Sequence, residues 1–170
     1  MIAALPLPDV LSTNHRTFRL RRVAESDLGA LMFLLSDDPI SAARGDRFVE
    51  LDSAAYLSAL KELTADSSNE VLLVVDDRGD AVATMQLTRI PGLSRGGATR
   101  LLVEAVRVRS IERSSGIGSA MMRWVTTTAA AATGASLVQL TSDQEREGAH
   151  RFYERLGFVG SHRGFKFQVQ

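Results

Sequence analysis

The chain has 170 residues, of which 45% are hydrophobic and 24% charged, values typical of one globular domain with a sizeable core. Its 20 basic and 20 acidic side chains leave no formal net charge, which argues against nucleic acid or an anionic membrane as the main partner. With no cysteine, disulfides, thiolate zinc sites and a cysteine nucleophile are excluded, and the composition fits the reducing cytoplasm.

The first residues are predicted to form an arm rather than a signal peptide. No basic residue precedes their apolar stretch, and Pro6 and Pro8 interrupt it. No later apolar run is long enough to cross a membrane as a helix. We therefore expect an N-terminal arm, residues 1–16, followed by a single domain, residues 17–170.

Hydrophobic periodicity predicts the order of helices and strands along the domain. Apolar residues recur at helical spacing in four segments: 28–35, 53–65, 117–133 and 149–156. Alternating or continuous apolar runs predict strands in five segments: 17–23, 71–75, 81–90, 99–108 and 136–140. The last residues, 158–169, are predicted to form a hairpin that turns near His162 to Gly164. This order predicts an α/β fold in which helices pack on a mixed sheet.

One glycine-rich stretch, "ERSSGIGSAMM" (112–122), lies between a predicted strand and a predicted helix. The first turn of a helix has free N–H groups and a partial positive charge, and Gly116 and Gly118 would let a ligand approach the backbone. Such a corner suits a phosphate or pyrophosphate, with Arg113 and Ser119 adding polar groups. The alternative is that the glycines only shape a tight turn. A P-loop is excluded because the stretch has no lysine, and a dinucleotide fingerprint would belong to the first strand of the domain.

The same stretch resembles a known family. "RSSGIG" (113–118) matches the R/Q-x-x-G-x-G/A signature of the GNAT superfamily of N-acetyltransferases, and "AHRFYERLGFV" (149–159) is similar to its second motif, A-x-x-x-Y-x-x-x-G-F. The element order agrees from about Phe18 to the C-terminus. The resemblance implies about four helices on a mixed, mostly antiparallel sheet of about seven strands, splayed between its fourth and fifth strands (99–108 and 136–140).

The resemblance also implies acetyl-CoA as the donor. No metal site is expected, because the three histidines lie far apart in the sequence and lack the spacing of metal ligands. The pantetheine arm would bind main-chain groups around Arg107, namely those of Val106 and Val108. The pyrophosphate would bind the glycine-rich corner: Arg113, Ser114, Ser115, Gly116, Ile117, Gly118 and Ser119.

Tyr153, which matches the family tyrosine, is the implied general acid that protonates the leaving thiolate. It also lies beside Phe152 on the predicted buried face of its helix, so an additional packing role is expected. Glu104 is the candidate base. If its strand is regular, Glu104 shares an apolar face with Leu102, Val106 and Val108, where burial would raise its pKa. The alternatives are a salt bridge to a neighbouring arginine or a turn towards solvent at a bulge.

Other polar residues near the expected site have less defined roles. His150 lies off the apolar helix face, which favours an exposed position, and His162 lies in the predicted terminal hairpin. Ser142 and Asp143 follow the strand 136–140, close to the expected acceptor entrance. The main-chain N–H of Val106 would stabilise the oxyanion, as in relatives.

One position departs from the family pattern, because Arg146 stands where an asparagine is frequent. It could bind a CoA phosphate or the acceptor, but a surface charge is the favoured interpretation. Acidic Asp37, Asp38 and Glu50 in the connector 36–51 could attract a cationic amine or only aid solubility. We expect the acceptor to be a small-molecule or peptide amine. The sequence identifies neither that amine nor the acyl group, and it leaves both a monomer and a homodimer open. A non-catalytic acyl-CoA sensor is the alternative function.

Overall fold

The computed structural model describes residues 1–38, 40 and 53–169. Its six strands are β1 (Asp9–Ser12), β2 (Thr17–Arg22), β3 (Asn69–Val75), β4 (Ala81–Ile90), β5 (Arg100–Val108) and β6 (Leu137–Leu140). Its main helices are α1 (Leu28–Ser36), α2 (Ser53–Ala65), α3 (Ile117–Trp124, continued by a π-helical segment, Val125–Ala129, and by Ala130–Thr133) and α4 (Glu147–Arg155). Short 3₁₀ turns and one helical turn, Ser94–Gly97, join them. The predicted helices are thus confirmed, and so is the mixed α/β class.

The strands form one sheet in the order β1-β2-β3-β4-β5-β6. All neighbours are antiparallel except β5 and β6, which are parallel. The described residues therefore form six strands, against the seven or so that were expected. The first of them, β1, lies in the predicted arm and was not predicted as a strand; it packs through buried Leu11, and Ile2 and Leu5 before it are buried as well.

Hydrophobic side chains cover both faces of the sheet. On β3, Leu72 and Val74 point to the face covered by α3, whereas Val71 and Leu73 point to the face covered by α1 and α2. A strand buried on both faces reads as the continuous apolar run that the sequence shows. Burying each of these side chains stabilises the fold by about 1.5–3 kcal/mol.

The predicted hairpin at the C-terminus is absent, since no strand is found in residues 158–169. The side chains that alternate there, Phe165, Phe167 and Val169, are 84 to 91% exposed. A hairpin is only marginally stable unless it buries a hydrophobic face. Alternating apolar residues indicate a propensity to form strands. A strand also needs a hydrophobic surface to cover its apolar face, and these side chains are exposed instead.

Candidate functional site

The sheet opens between β5 and β6. The two strands pair only over Arg100–Val103 and Leu137–Leu140, and β5 continues to Val108 paired with β4 alone. The splay implied by the family resemblance is therefore confirmed. It leaves the second half of β5 with one backbone edge available to a ligand.

A β-bulge lies in β5 at the start of this open edge. Gln86 of β4 pairs with Glu104 of β5, but Thr84, two residues earlier on β4, pairs with Arg107, three residues later on β5. The strand β5 therefore carries one extra residue, and Ala105 adopts a positive φ of 49°. Glu104 is exposed, so the expectation that it shares a buried apolar face with Val106 and Val108 is wrong. That expectation assumed strict alternation, which the bulge interrupts. The alternative, a turn towards solvent at a bulge, is confirmed.

Beyond the bulge, Val106 and Val108 pack against the cluster that includes α3. The main-chain carbonyl groups of both valines accept hydrogen bonds from arginine side chains. Arg107 Nη1 donates to Val106 O at 2.9 Å, and Arg113 Nε donates to Val108 O at 3.3 Å. A ligand lying along this edge would therefore meet two arginines as well as main-chain groups.

The glycine-rich corner has the free donors that the sequence predicts. Gly116 is the N-cap of α3 with φ 91°, and the first N–H to bond backward is that of Ala120, to Gly116 O at 3.0 Å. The amides of Ile117, Gly118 and Ser119 have no acceptor among the described residues. With the partial positive charge of the helix start, these free amides have the chemistry that suits an anion.

The corner is also sterically restricted at Gly118. A Cβ at this position would lie 3.3 Å from Cζ of Phe152 on α4, which is a tight contact. The helix α4 therefore lies against the start of α3, and Phe152 is a neighbour of the glycine-rich corner. The sequence had assigned Phe152 only to the packing face of its helix. Any ligand bound by these amides would lie beside its ring.

Tyr153 lies in the partly buried aromatic cluster of α4. Its ring makes edge contacts with the rings of Phe152, at 5.0 Å, and Phe158, at 5.8 Å between centroids. Burial raises the pKa of the Tyr153 phenol, and the charges of Arg107 and Arg146 act in the opposite direction. The phenol is therefore held in its protonated form, within the electrostatic reach of two cations.

The two acidic residues that follow α1 connect the two sides of the opening. Ser110 N donates to Asp37 Oδ2 and Arg113 Nη2 donates to Asp37 O, each at 2.5 Å. Asp38 accepts two bonds from the guanidinium of Arg146, at 2.7 and 2.5 Å. The interpretation of Asp38 and Arg146 as surface charges is wrong, since their side chains are only 13 and 21% exposed. Glu50 and most of the connector 36–51 lie outside the described residues.

The remaining candidates are divided between the site and the surface. Ser142, after β6, has a buried Oγ with no hydrogen-bond partner among the described residues. His150 is half-buried rather than exposed, and its Nε2 lies 2.7 Å from Asp143 O. His162 is exposed in the C-terminal segment.

Two other kinds of functional feature are not found in the described part of the chain. It contains no group of three His, Cys, Asp or Glu residues arranged to hold a metal ion. None of its helices is long and apolar enough to span a membrane.

Comparison with known proteins agrees with this geometry. The sequence profile of the acetyltransferase (GNAT) family matches residues 35–158. A solved structure described as a transcriptional regulator from Bacillus halodurans C-125 is 35% identical, with a TM-score of 0.83, over 89% of this chain and 99% of that chain.

Two more distant structures share the fold. A Trypanosoma brucei acetyltransferase is 24% identical, with a TM-score of 0.71, over 89% of this chain and 99% of that one. Glucosamine-6-phosphate N-acetyltransferase from Arabidopsis thaliana is 16% identical, with a TM-score of 0.70, over 90% of this chain and 99% of that one. Among curated proteins, no sequence matches.

Proposed function

Because the chain belongs to the acetyltransferase (GNAT) family, we propose that it transfers an acetyl group from acetyl-CoA to a primary amine. The observation that carries the proposal is the arrangement of two complementary binding elements beside one acid. Free amides at the start of α3 suit the pyrophosphate, and the open edge of β5 suits the amides of pantetheine. The Tyr153 ring contacts Phe152, whose ring faces Gly118, and the phenol lies within the electrostatic reach of Arg107 on β5. We expect the protein to act in the cytoplasm, because a chain without cysteine needs no oxidising compartment for disulfide formation.

The residues fit acetyl-CoA in their chemistry. The amides of Ile117, Gly118 and Ser119 would bind pyrophosphate oxygens. The absence of a side chain at Gly118 lets Phe152 pack close to this corner. The other residues of the corner, Arg113 through Gly116, would surround the same group. Arg113 bonds to Asp37 and Val108 here, so it would have to change partners to reach a phosphate.

The reaction needs two proton transfers and one stabilised oxyanion. Bound acetyl-CoA supplies a thioester carbonyl that an amine can attack directly, giving a tetrahedral intermediate. The exposed carboxylate of Glu104 would accept the amine's proton through water, and the N–H of Val106 would donate to the oxyanion. When the C–S bond breaks and the amide remains, Tyr153 would give its proton to the thiolate. A raised phenol pKa keeps this donor protonated at neutral pH.

A second candidate function is favoured by one comparison. The relative that is 35% identical is described as a transcriptional regulator, so a non-catalytic module that binds acyl-CoA is the alternative. It shares the binding corner with the enzyme and differs only in turnover. Both candidates allow an acyl group other than acetyl.

The test separates binding from turnover. Acetyl-CoA should raise the melting temperature, and CoA should be released only when an amine from a mixed panel is added, with the mass of that amine raised by one acetyl group. Binding without release across the panel would favour the regulatory module. Absence of binding would refute both functions.

A further inference from the structure

An apolar cavity lies between α1, α2 and the sheet, on the face opposite α3. Its volume is ≈ 100 Å³. On α2 the lining residues follow one helical stripe, at spacings of three and four residues: Tyr56, Ala59, Leu60 and Leu63. On α1 and the sheet they include Leu28, Leu31, Leu35, Val71, Met85 and Ala105.

The cavity offers little to a polar ligand. No charged residue is among its described lining residues. The Thr84 hydroxyl donates to Leu72 O at 2.8 Å, and the Gln86 amide donates to Asn69 Oδ1 at 3.2 Å. A charged or hydroxylated group entering this space would lose hydration without an equivalent replacement. The occupant that suits the lining is a hydrocarbon group.

One end of the cavity lies beside the part of β5 that carries Glu104 and Val106, the proposed base and oxyanion donor. Ala105, the bulge residue, lines it directly, and Val106 follows in the chain. Gln86 also lines it and pairs across the sheet with Glu104. The rest of the cavity extends away from β5, beneath α1 and α2. An amine at the open edge of β5 would thus have Glu104 close by and the cavity next to its substituent.

We infer that the acceptor is a primary amine with a short hydrocarbon substituent, and that this cavity binds the substituent while the amino group lies near Glu104. The inference rests on the proposed acetyl transfer. An apolar cavity of about 150 Å³ holds the six carbons of benzene, so ≈ 100 Å³ corresponds to about four carbons. Amino sugars and polyamines, whose substituents are polar or charged, do not fit this lining.

The direct test is a series of straight-chain amines from methylamine to hexylamine, with acetyl-CoA as the donor and release of CoA as the readout. Each added carbon should raise kcat/KM about fourfold, because burying a CH₂ contributes about 0.8 kcal/mol and about 1.36 kcal/mol corresponds to tenfold. The increase should end near butylamine. Aminopropanol, in which a hydroxyl replaces the terminal methyl of butylamine, should be at least about tenfold poorer than butylamine.

A pair of matched variants tests the place of binding. Both Ala54 and Ala59 are exposed on α2, but only Ala59 lines the cavity. Ala59→Phe therefore adds a ring at the rim of the cavity, whereas Ala54→Phe adds the same ring away from it. We expect Ala59→Phe to lower kcat/KM for butylamine at least about tenfold and for methylamine less than about twofold. Ala54→Phe should change neither, and circular dichroism should show that both variants fold.

The outcomes distinguish the inference from the function on which it rests. Acetylation of amines with no chain-length dependence, or with a preference for aminopropanol, would overturn the inference and leave the acetyltransferase function standing. Chain-length dependence among acyl-CoA donors instead of amines would also overturn it, since the cavity would then hold the acyl group. If acetyl-CoA binds but no amine in the series or a polar panel is acetylated, both are wrong.

Discussion

The ion pair between Asp38 and Arg146 gives a stability prediction that can be worked from the structure. Asp38 lies just after α1 and Arg146 is the N-cap residue of α4, so the pair joins two elements on either side of the site. Both guanidinium bonds are short, at 2.7 and 2.5 Å, and the side chains are 13 and 21% exposed. Asp38→Asn would remove the carboxylate charge at nearly constant volume.

The expected loss lies between two known limits. Removing one partner of a fully buried pair costs about 3–5 kcal/mol, whereas exposed pairs contribute about 0.2–1 kcal/mol. Because this pair is mostly but not fully buried, Asp38→Asn should lower the free energy of unfolding by about 2 kcal/mol. Urea unfolding followed by circular dichroism, with unchanged m-value, measures this loss.

A second ion pair provides the control. Arg151 and Glu147 are one turn apart on α4, at 3.4 Å, and their side chains are 63 and 79% exposed. Glu147→Gln should therefore lower the free energy of unfolding by less than about 0.5 kcal/mol. Equal losses for Asp38→Asn and Glu147→Gln would show that burial does not strengthen the Asp38 pair, and the reasoning would fail.

Three further predictions concern the site. Tyr153→Phe should lower kcat by about 100-fold or more and change the Kd for acetyl-CoA less than about twofold; an unchanged kcat would remove Tyr153 from the mechanism. Gly118→Glu should abolish acetyl-CoA binding in calorimetry, because a carboxylate would meet Phe152 and repel the pyrophosphate, whereas Gly160→Glu, with open space around it, should bind normally. Burial raises the pKa of Tyr153 above the ordinary value of a phenol, so in alkaline solution the folded state keeps a proton that the unfolded chain releases. The free energy of unfolding therefore falls as the pH rises past the pKa of the unfolded phenol, about 10. Between about pH 9 and about pH 11, wild type should lose more unfolding free energy than Tyr153→Phe, and equal losses would contradict the assigned burial.

Local features of the fold could be predicted because local sequence determines them. The α3 corner follows from glycines at a strand-to-helix junction, and Gly116 does adopt φ 91° there. The helical segments predicted over 117–133 and 149–156 are each followed directly by a glycine, and these glycines, Gly134 and Gly157, have φ of 67 and 89°, the left-handed conformation that ends a helix. Phe158 follows Gly157 and contacts Tyr153, as expected for such a cap.

Contacts between distant segments could not be predicted in this way. Asp38 and Arg146 are 108 residues apart, and each alone reads as a surface charge. Likewise, Phe152 was assigned to a packing face, and nothing in the sequence places its ring against Gly118. The C-terminal hairpin was predicted wrongly for a related reason. Alternating apolar residues predict strands, but whether such strands form depends on tertiary contacts that the local sequence does not specify.

The bulge at Ala105, which the sequence offered only as an alternative, shows how one extra residue in a strand alters the whole site. In a regular strand, Glu104, Val106 and Val108 would share a face, and the valines would lie on the cavity side with Gln86. The extra residue turns both valines to the α3 face and leaves Glu104 and Ala105 on the cavity side. Because Ala105 lines the cavity and carries only a methyl group, its side chain occupies little of the space beside β5. The bulge therefore places the candidate base, the open edge of β5 and the apolar cavity beside one another, which is the arrangement that transfer to an amine with a hydrocarbon substituent requires.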